Sequence, residues 1–387
     1  MKKVIIRAPL LSYSGYGTHS RQIFRWLLTQ PDIEVITSIV PWGITPWMIN
    51  PSFEDGLIEK IMNRSAYDQN ASFDISIQVQ LPNEWDSSLA NKNIGVSAFV
   101  ETDTCNPQWV ECCNKMDRIV VPSQHTCQVI KNSGHCRTPI SVVPEAFYDV
   151  ILKKDLPEFQ VDFETSFNFL LLGQITGQQP DTDRKNIFNS IKWFCETFKN
   201  DSDVGLILKT NSGKNTTIDR TLSGRMIIKL LDEVREGPFP KIHFLHGALS
   251  PTEIASLYRH PKIKAMINFT RGEGFGLPLL EAAASGLPVL ATNWSGHLDF
   301  LRLGKFIPID YRLEPISSAR VDGDIFVQDA KWAEPLEDNI KQRLRKFYKA
   351  PFIPQKWAQE LKVNLLSRFC QENINQLYDV ELGEYFR

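Results

Sequence analysis

The chain has 387 residues, 42% hydrophobic and 23% charged, with a formal net charge of −2. This is the balance of a soluble globular protein with room for two domains, and it shows no cation excess that would mark a nucleic-acid partner. No apolar run approaches the roughly 20 residues of a membrane-spanning helix, and the first residues lack a signal peptide's apolar core. A cytoplasmic protein is expected, one that can touch a membrane peripherally but not cross it. The seven cysteines are odd in number and scattered, which fits reduced thiols. Cys105, Cys112, Cys113, Cys127 and Cys136 crowd together with His125 and His135, but no Cys-x2-Cys pair occurs, so ordinary thiols are expected rather than zinc.

Strand-like runs occupy 3–9, 34–40, 73–79, 93–100, 118–122 and 140–143, with helix patterns at 18–29, 107–115 and 123–132. The design repeats with strands at 169–172, 204–209, 242–245, 263–269 and 289–292 and helices at 183–199, 219–234, 251–258 and 277–285. Short apolar strands alternating with helices predict parallel sheets covered on both faces. Two such α/β units predict two Rossmann-like domains, residues 1–155 and 156–364, divided in the polar stretch 153–165. The tail from 355 to 378 reads as one long amphipathic helix after Pro351 and Pro354.

The first strand leads into Ser14-Gly15-Tyr16-Gly17-Thr18-His19-Ser20 and a helix. A dinucleotide fingerprint needs a third glycine where Ser20 stands, which weakens a dehydrogenase reading. In the second half, Lys209 ends a buried-type strand, where parallel sheets place ligand crevices. Asp183-Arg184-Lys185-Asn186 sits at a helix start, where cations oppose the helix dipole unless an anion is bound. The most informative stretch runs from Thr270 to Pro288: Gly272, Glu273, Gly274, Phe275, Gly276, Leu277 and Pro278 join a strand to a Leu/Ala-rich helix carrying Glu281. A glycine-lined helix start is an anion site. Carboxylates beside it suit an anion that also carries hydroxyls, such as a nucleotide sugar.

This stretch resembles the paired-glutamate motif of the family 4 retaining glycosyltransferases, which have the GT-B fold of two Rossmann-like domains facing a cleft. The resemblance implies that Glu273 contacts the donor sugar, that Glu281 holds the ribose, and that the backbone of Gly274, Phe275, Gly276 and Leu277 meets the diphosphate. It also implies a phosphate contact from Lys185; Gln174 stands where the family often has an arginine, and Arg184, whose planar fork binds phosphate oxygens in pairs, can substitute in part. Lys209 and the loop carrying Leu249 are similar to the family's donor pocket. Gly15 and Gly17 resemble its N-terminal glycine loop, which lies near the donor phosphates and the acceptor, so they are expected among the donor-binding residues. Val100-Glu101-Thr102-Asp103, the Pro-x-Trp at 107–109 and Val121-Pro122-Ser123 resemble one subgroup, as does Trp294-Ser295-Gly296-His297. In that subgroup Glu101 and Asp103 stand near the family's usual sugar-touching histidine, which makes them catalytic candidates with Glu273. The last residues, about 365–387, are expected to cross back onto the N-terminal domain, the acceptor side.

The expectation is a hexosyltransferase moving a sugar, with retained configuration, from a nucleoside diphosphate sugar to a saccharide or glycolipid. No cofactor or metal is expected, because cations face the diphosphate; Asp181-Thr182-Asp183 has the Asp-x-Asp spelling but lies beside basic residues. A GT-B epimerase or phosphorylase would share these motifs and would differ in its products. A non-catalytic nucleotide-sugar-binding protein would bind without turnover.

Overall fold

In the computed structural model, which describes residues 1–68 and 70–387, the N-terminal strands form one wholly parallel sheet. They are β1 (Lys2–Ala8), β2 (Ile33–Ile39), β3 (Ile75–Val79), β4 (Lys92–Val96), β5 (Arg118–Val121) and β6 (Ile140–Val142), ordered β2-β1-β3-β4-β5-β6. Every residue of β3 is buried, as expected of a strand covered on both faces. Between the strands lie α1 (Gly15–Leu27), α2 (Phe53–Met62), α3 (Pro107–Cys113) and α4 (Gln124–Ser133). Ser14 and Ser123 start α1 and α4 by accepting the amides of Gly17 and Thr126.

The second sheet is also parallel: β7 (Phe167–Leu172), β8 (Val204–Lys209), β9 (Lys241–Leu245), β10 (Ile263–Asn268), β11 (Val289–Thr292) and β12 (Ile307–Ile309). Its helices are α5 (Ile187–Thr197), α6 (Thr217–Val234), α7 (Pro251–Tyr258), α8 (Leu277–Ala284) and α9 (Leu298–Leu301). The order β12-β11-β10-β7-β8-β9 means the chain builds outward from β7, then returns to place β10 on the other side of β7. Ligands of such sheets bind at this reversal, outside the carboxyl ends of the two strands. Phe169 anchors the core beneath it, with Phe194, Phe198 and Phe347 at ring distances of 5.4, 5.6 and 5.6 Å.

The chain divides into two units: Met1–Ala146 with Gly323–Val327 and Gln371–Arg387, and Phe147–Asp322 with Gln328–Cys370. The division falls at Ala146/Phe147, where the sequence suggested 155/156. The remaining elements are the antiparallel pair β13 (Tyr311–Pro315) and β14 (Lys331–Pro335), then α10 (Glu337–Lys349), α11 (Phe352–Leu366) and α12 (Gln371–Phe386).

The single tail helix expected at 355–378 is therefore two helices, broken at 367–370. The reason is that they serve different units: α11 packs on α8, whereas α12 packs on α1. Trp26 stacks on Tyr378 with 4.9 Å between rings and donates its indole N–H to Asp379 at 2.8 Å; both rings are fully buried. Arg118 pairs with Glu381 at 3.0 Å. Each large side chain so buried adds roughly 1.5–3 kcal/mol.

All seven cysteines are free thiols, and no cluster of metal-ligating side chains occurs among the described residues. Among the described residues no helix is long and apolar enough to cross a membrane.

Candidate functional site

After β10, Asn268 turns the chain by accepting the amide of Thr270 at 3.1 Å. The backbone then runs through Gly272–Gly276 into α8. Gly276 is the N-cap with φ +96°, a left-handed conformation that glycine adopts without a Cβ penalty. Pro278 occupies the first turn of α8, where its missing N–H costs nothing. The positive end of α8 thus opens at the carboxyl end of β10.

The loop after neighbouring β7 is drawn onto this turn. Asp183 accepts from the Ile187 amide at 2.7 Å and from Thr176, through its amide at 3.0 Å and its hydroxyl at 2.7 Å. Its carboxylate is thus committed to starting α5, which begins at Ile187 rather than 183. Asn186, at φ 56°, donates to the Phe269 carbonyl at 3.0 Å. Arg184 donates to the Gly272 carbonyl at 2.9 Å and lies 3.8 Å from Glu273. Lys185 Nζ is 2.6 Å from both Glu273 carboxylate oxygens. Burial alone would push the Glu273 carboxyl up, but Lys185 and Arg184 beside it hold it below its ordinary value.

Glu273 is fixed by its backbone as well. Its amide donates to Ser295 Oγ at 2.9 Å and its carbonyl accepts the Gly296 amide at 2.9 Å. A Cβ on Gly296 would stand 2.1 Å from the Gly274 carbonyl oxygen, so only glycine permits this approach. The Ser295-Gly296-His297 run therefore braces the glycine-rich turn before α8.

Glu281, on α8, is 5% exposed. Its Oε2 accepts the Tyr258 hydroxyl at 3.2 Å, while Oε1 has no partner among the described residues. Burial pushes its carboxyl up to about 8, and the Tyr258 bond offsets only part of this. A buried acceptor without a donor costs roughly 1–3 kcal/mol, so this oxygen is suited to an incoming hydroxyl.

At the end of β8, Lys209 donates to the Gly247 carbonyl, and burial brings its ammonium down to about 8. Leu249 is half-buried on the same loop, whose His246 is held by Asp219 at 2.7 Å. The structure thus brings Arg184, Lys185 and Glu273 into contact, with Glu281 on the helix that follows Gly276. Lys209, at the end of β8, is joined to the loop after β9 that carries Leu249 by its bond to the Gly247 carbonyl.

In the other unit, the loop between β1 and α1 carries Gly15 and Gly17. A Cβ on Gly17 would lie 2.1 Å from the Ser12 carbonyl oxygen, whereas one on Gly15 meets nothing within 4 Å. Tyr16 stacks on Trp42 at 3.9 Å, its hydroxyl lies 2.9 Å from Ser97 Oγ, and it accepts the Ala98 amide at 2.9 Å. It thereby ties the glycine loop to the segment after β4. That segment kinks at Phe99, φ 52°, and leads to half-buried Glu101 and Asp103. The strand expected at 93–100 ends at Val96 because of this turn.

The sequence reading missed three residues. Tyr258 reaches Glu281 from another helix. Tyr16 looked like a spacer between glycines. Arg271, 3% exposed, grips Glu334 at 2.6 and 3.1 Å and the Pro180 and Asp183 carbonyls at 2.6 and 2.7 Å, so it shapes the loop that carries Lys185. Its position next to Gly272 was the available signal.

Residues 234–310, which span this turn, match the family of glycosyl transferases group 1. The chain is 32% identical over 133 residues to a probable sucrose-phosphate synthase 1 of Citrus unshiu and to sucrose-phosphate synthase 1 of Arabidopsis thaliana. Each match covers 32% of this chain but only 12% of the relative's length. Among solved structures, HepE of Anabaena, in complex with UDP and glucose, aligns with a TM-score of 0.62 at 12% identity, covering 99% of this chain and 100% of that one. A sucrose-phosphate synthase of Thermosynechococcus elongatus gives 0.64 at 13% identity, covering 100% and 99%. The fold of two Rossmann-like, parallel-sheet domains is that of the GT-B glycosyltransferases.

Proposed function

We propose that the chain is a retaining glycosyltransferase of the hexosyl class, similar to family 4. It moves a sugar from a nucleoside diphosphate donor to a saccharide or glycolipid acceptor. The observation that carries this reading is the buried, half-satisfied Glu281 carboxylate on the helix that opens beside the Lys185–Glu273 pair. Cation, helix dipole and spare carboxylate together match one ligand that bears both a diphosphate and hydroxyls.

In this reading Glu281 Oε1 accepts a ribose hydroxyl. Lys185 and Arg184 meet the diphosphate, with the start of α8 from Gly274 through Phe275 and Gly276 to Leu277. Lys209 and the Leu249 loop border the same pocket. Lys185 and Glu273 neutralise each other; a bound diphosphate gives Lys185 a second anion and leaves Glu273 to accept a hydroxyl of the reacting sugar. Charge developing on the leaving diphosphate is stabilised by cations already in place. Gly15 and Gly17, with Glu101 and Asp103 as further catalytic groups, belong to the acceptor-side unit. The reaction is proposed to need no metal, and the free thiols suit a reducing, cytoplasmic compartment.

Calorimetry against UDP, ADP and GDP, followed by turnover with the matching nucleotide sugars and determination of the product anomer, tests the reading. Tight nucleotide binding with transfer to a saccharide supports it. Absence of binding by every nucleotide, or products from the donor alone, overturns it.

A further inference from the structure

We propose that the corner between α10 and α11 is a docking surface for an anionic lipid bilayer. Phe352 is 77% exposed and Ile353 56%, at the start of α11, between Pro351 and Pro354. Single exposed apolar residues are ordinary, but an adjacent aromatic and β-branched pair at a helix corner is not. Lys346 and Lys349 end α10, and Lys356 follows one turn into α11; all three are exposed and form no ion pair among the described residues. Phe352 and Lys356 are four residues apart and Ile353 and Lys356 three apart on one helix, so the apolar pair and the cation share a side.

The charge pattern is local. From residue 339 to 363 the chain carries Lys341, Arg343, Arg345, Lys346, Lys349, Lys356 and Lys362 against one carboxylate, Glu360, although the whole chain is nearly neutral at −2. Lys341 and Arg345 are already committed, to Glu196 and Glu337 and to Asp201. The corner lysines are therefore left facing solvent. Just behind them, Trp357 is half-buried, its ring 5.6 Å from the Lys305 ammonium, beside a shallow apolar groove formed with Leu287, Phe306 and Pro354. Phe and Ile outermost, Trp behind them and lysines around them is the order in which a bilayer presents its acyl boundary, interface and anionic headgroups. An acidic protein partner would use the lysines but would not call for an apolar point at the most exposed position.

The test uses the full chain and sedimentation with vesicles of phosphatidylcholine alone, or of phosphatidylcholine with about one-third phosphatidylglycerol. Binding to the anionic vesicles only, weakened by salt, is expected. Phe352→Ser with Ile353→Ser, and separately Lys346→Glu with Lys349→Glu, should each lower that binding about tenfold or more without changing the melting temperature, because these side chains are exposed. No binding of the unaltered chain, equal binding to both vesicle types, or full binding by either variant overturns the proposal. An acidic protein as the true partner would give the first of these results.

Discussion

Lys185 Nζ lies 2.6 Å from both oxygens of the Glu273 carboxylate, although the two residues come from loops 88 positions apart in the chain. The reversal of strand order between β7 and β10 brings those loops together, and Arg271 locks them by binding the Pro180 and Asp183 carbonyls. The pair separates two roles. Glu273→Gln should leave nucleoside diphosphate affinity within about tenfold, while turnover falls on the order of a hundredfold from a misplaced sugar. Lys185→Ala should weaken nucleotide binding first. It should also destabilise the fold by about 3 kcal/mol, because Glu273 is left buried without its partner. Adding Glu273→Gln to Lys185→Ala should recover most of that stability but not the nucleotide affinity. Denaturant melts and calorimetry on the three variants decide this; stability unrecovered in the double variant would mean Lys185 acts through packing.

Glu281 predicts a pH dependence with a definite sign. Its carboxyl is raised from an ordinary 4.5 to about 8 by burial, so between those pH values the folded chain holds a proton that the unfolded chain has lost. Its contribution to stability is therefore fully present below the ordinary value, declines as pH rises, and is gone above about 8. Glu281→Gln should flatten this decline and melt higher than the unaltered chain at pH 8, with little difference at pH 4. The same residue should make nucleotide binding tighten with pH and release a proton, because the ionised carboxylate is the better hydroxyl acceptor. Calorimetry in two buffers of different ionisation enthalpy measures that proton. Identical heats in both buffers, or no gain in melting temperature, would remove Glu281 from this role.

Most of the second unit was legible from sequence: β8, α7 and β11 lie where the pattern placed them, since short apolar runs and the Ser250–Glu253 capping box mark their ends locally. What escaped depended on distant partners. β12 is only Ile307-Pro308-Ile309, too short for a period, and takes its place by pairing with β11. In α2, Glu54 and Asp55 adopt left-handed backbone while Glu54 reaches Arg21 and Arg25 at 2.6 and 2.9 Å, which no local propensity indicates. The site divides in the same way. The glycines, Glu273 and Glu281 stand in one run, while Tyr258 and Arg271 acquire meaning only through the residues they touch.

Activity should survive EDTA. Asp183, the second acid of the Asp-x-Asp spelling, spends its carboxylate on Thr176 and the Ile187 amide, and Asp181 accepts a hydrogen bond from Ser317 at 2.9 Å. Asp183→Ala should therefore leave Thr176 and the Ile187 amide without their buried acceptor, costing roughly 1–3 kcal/mol of stability, with no new response to Mg or Mn. Turnover lost in chelator and restored by either ion would assign these acids to a metal instead.

The two glycines of the first loop should answer differently to the same substitution. Gly17→Ala forces a Cβ to within 2.1 Å of the Ser12 carbonyl oxygen, which is backbone and cannot swing aside. The α1 start must then shift, and with it Tyr16, whose hydroxyl contacts Ser97 and Ala98; a loss of about 1–3 kcal/mol is expected, as for other overpacked sites. Gly15→Ala adds a methyl into open space at the first residue of α1, where alanine is the better helix former, so the melting temperature should hold or rise slightly. If Gly15 is open because a ligand approaches its backbone, Gly15→Ala should nonetheless slow transfer or raise the KM of a substrate. Unchanged stability with reduced transfer assigns Gly15 to the ligand. Unchanged stability with unchanged kinetics would make it an ordinary solvent-facing glycine and remove it from the site.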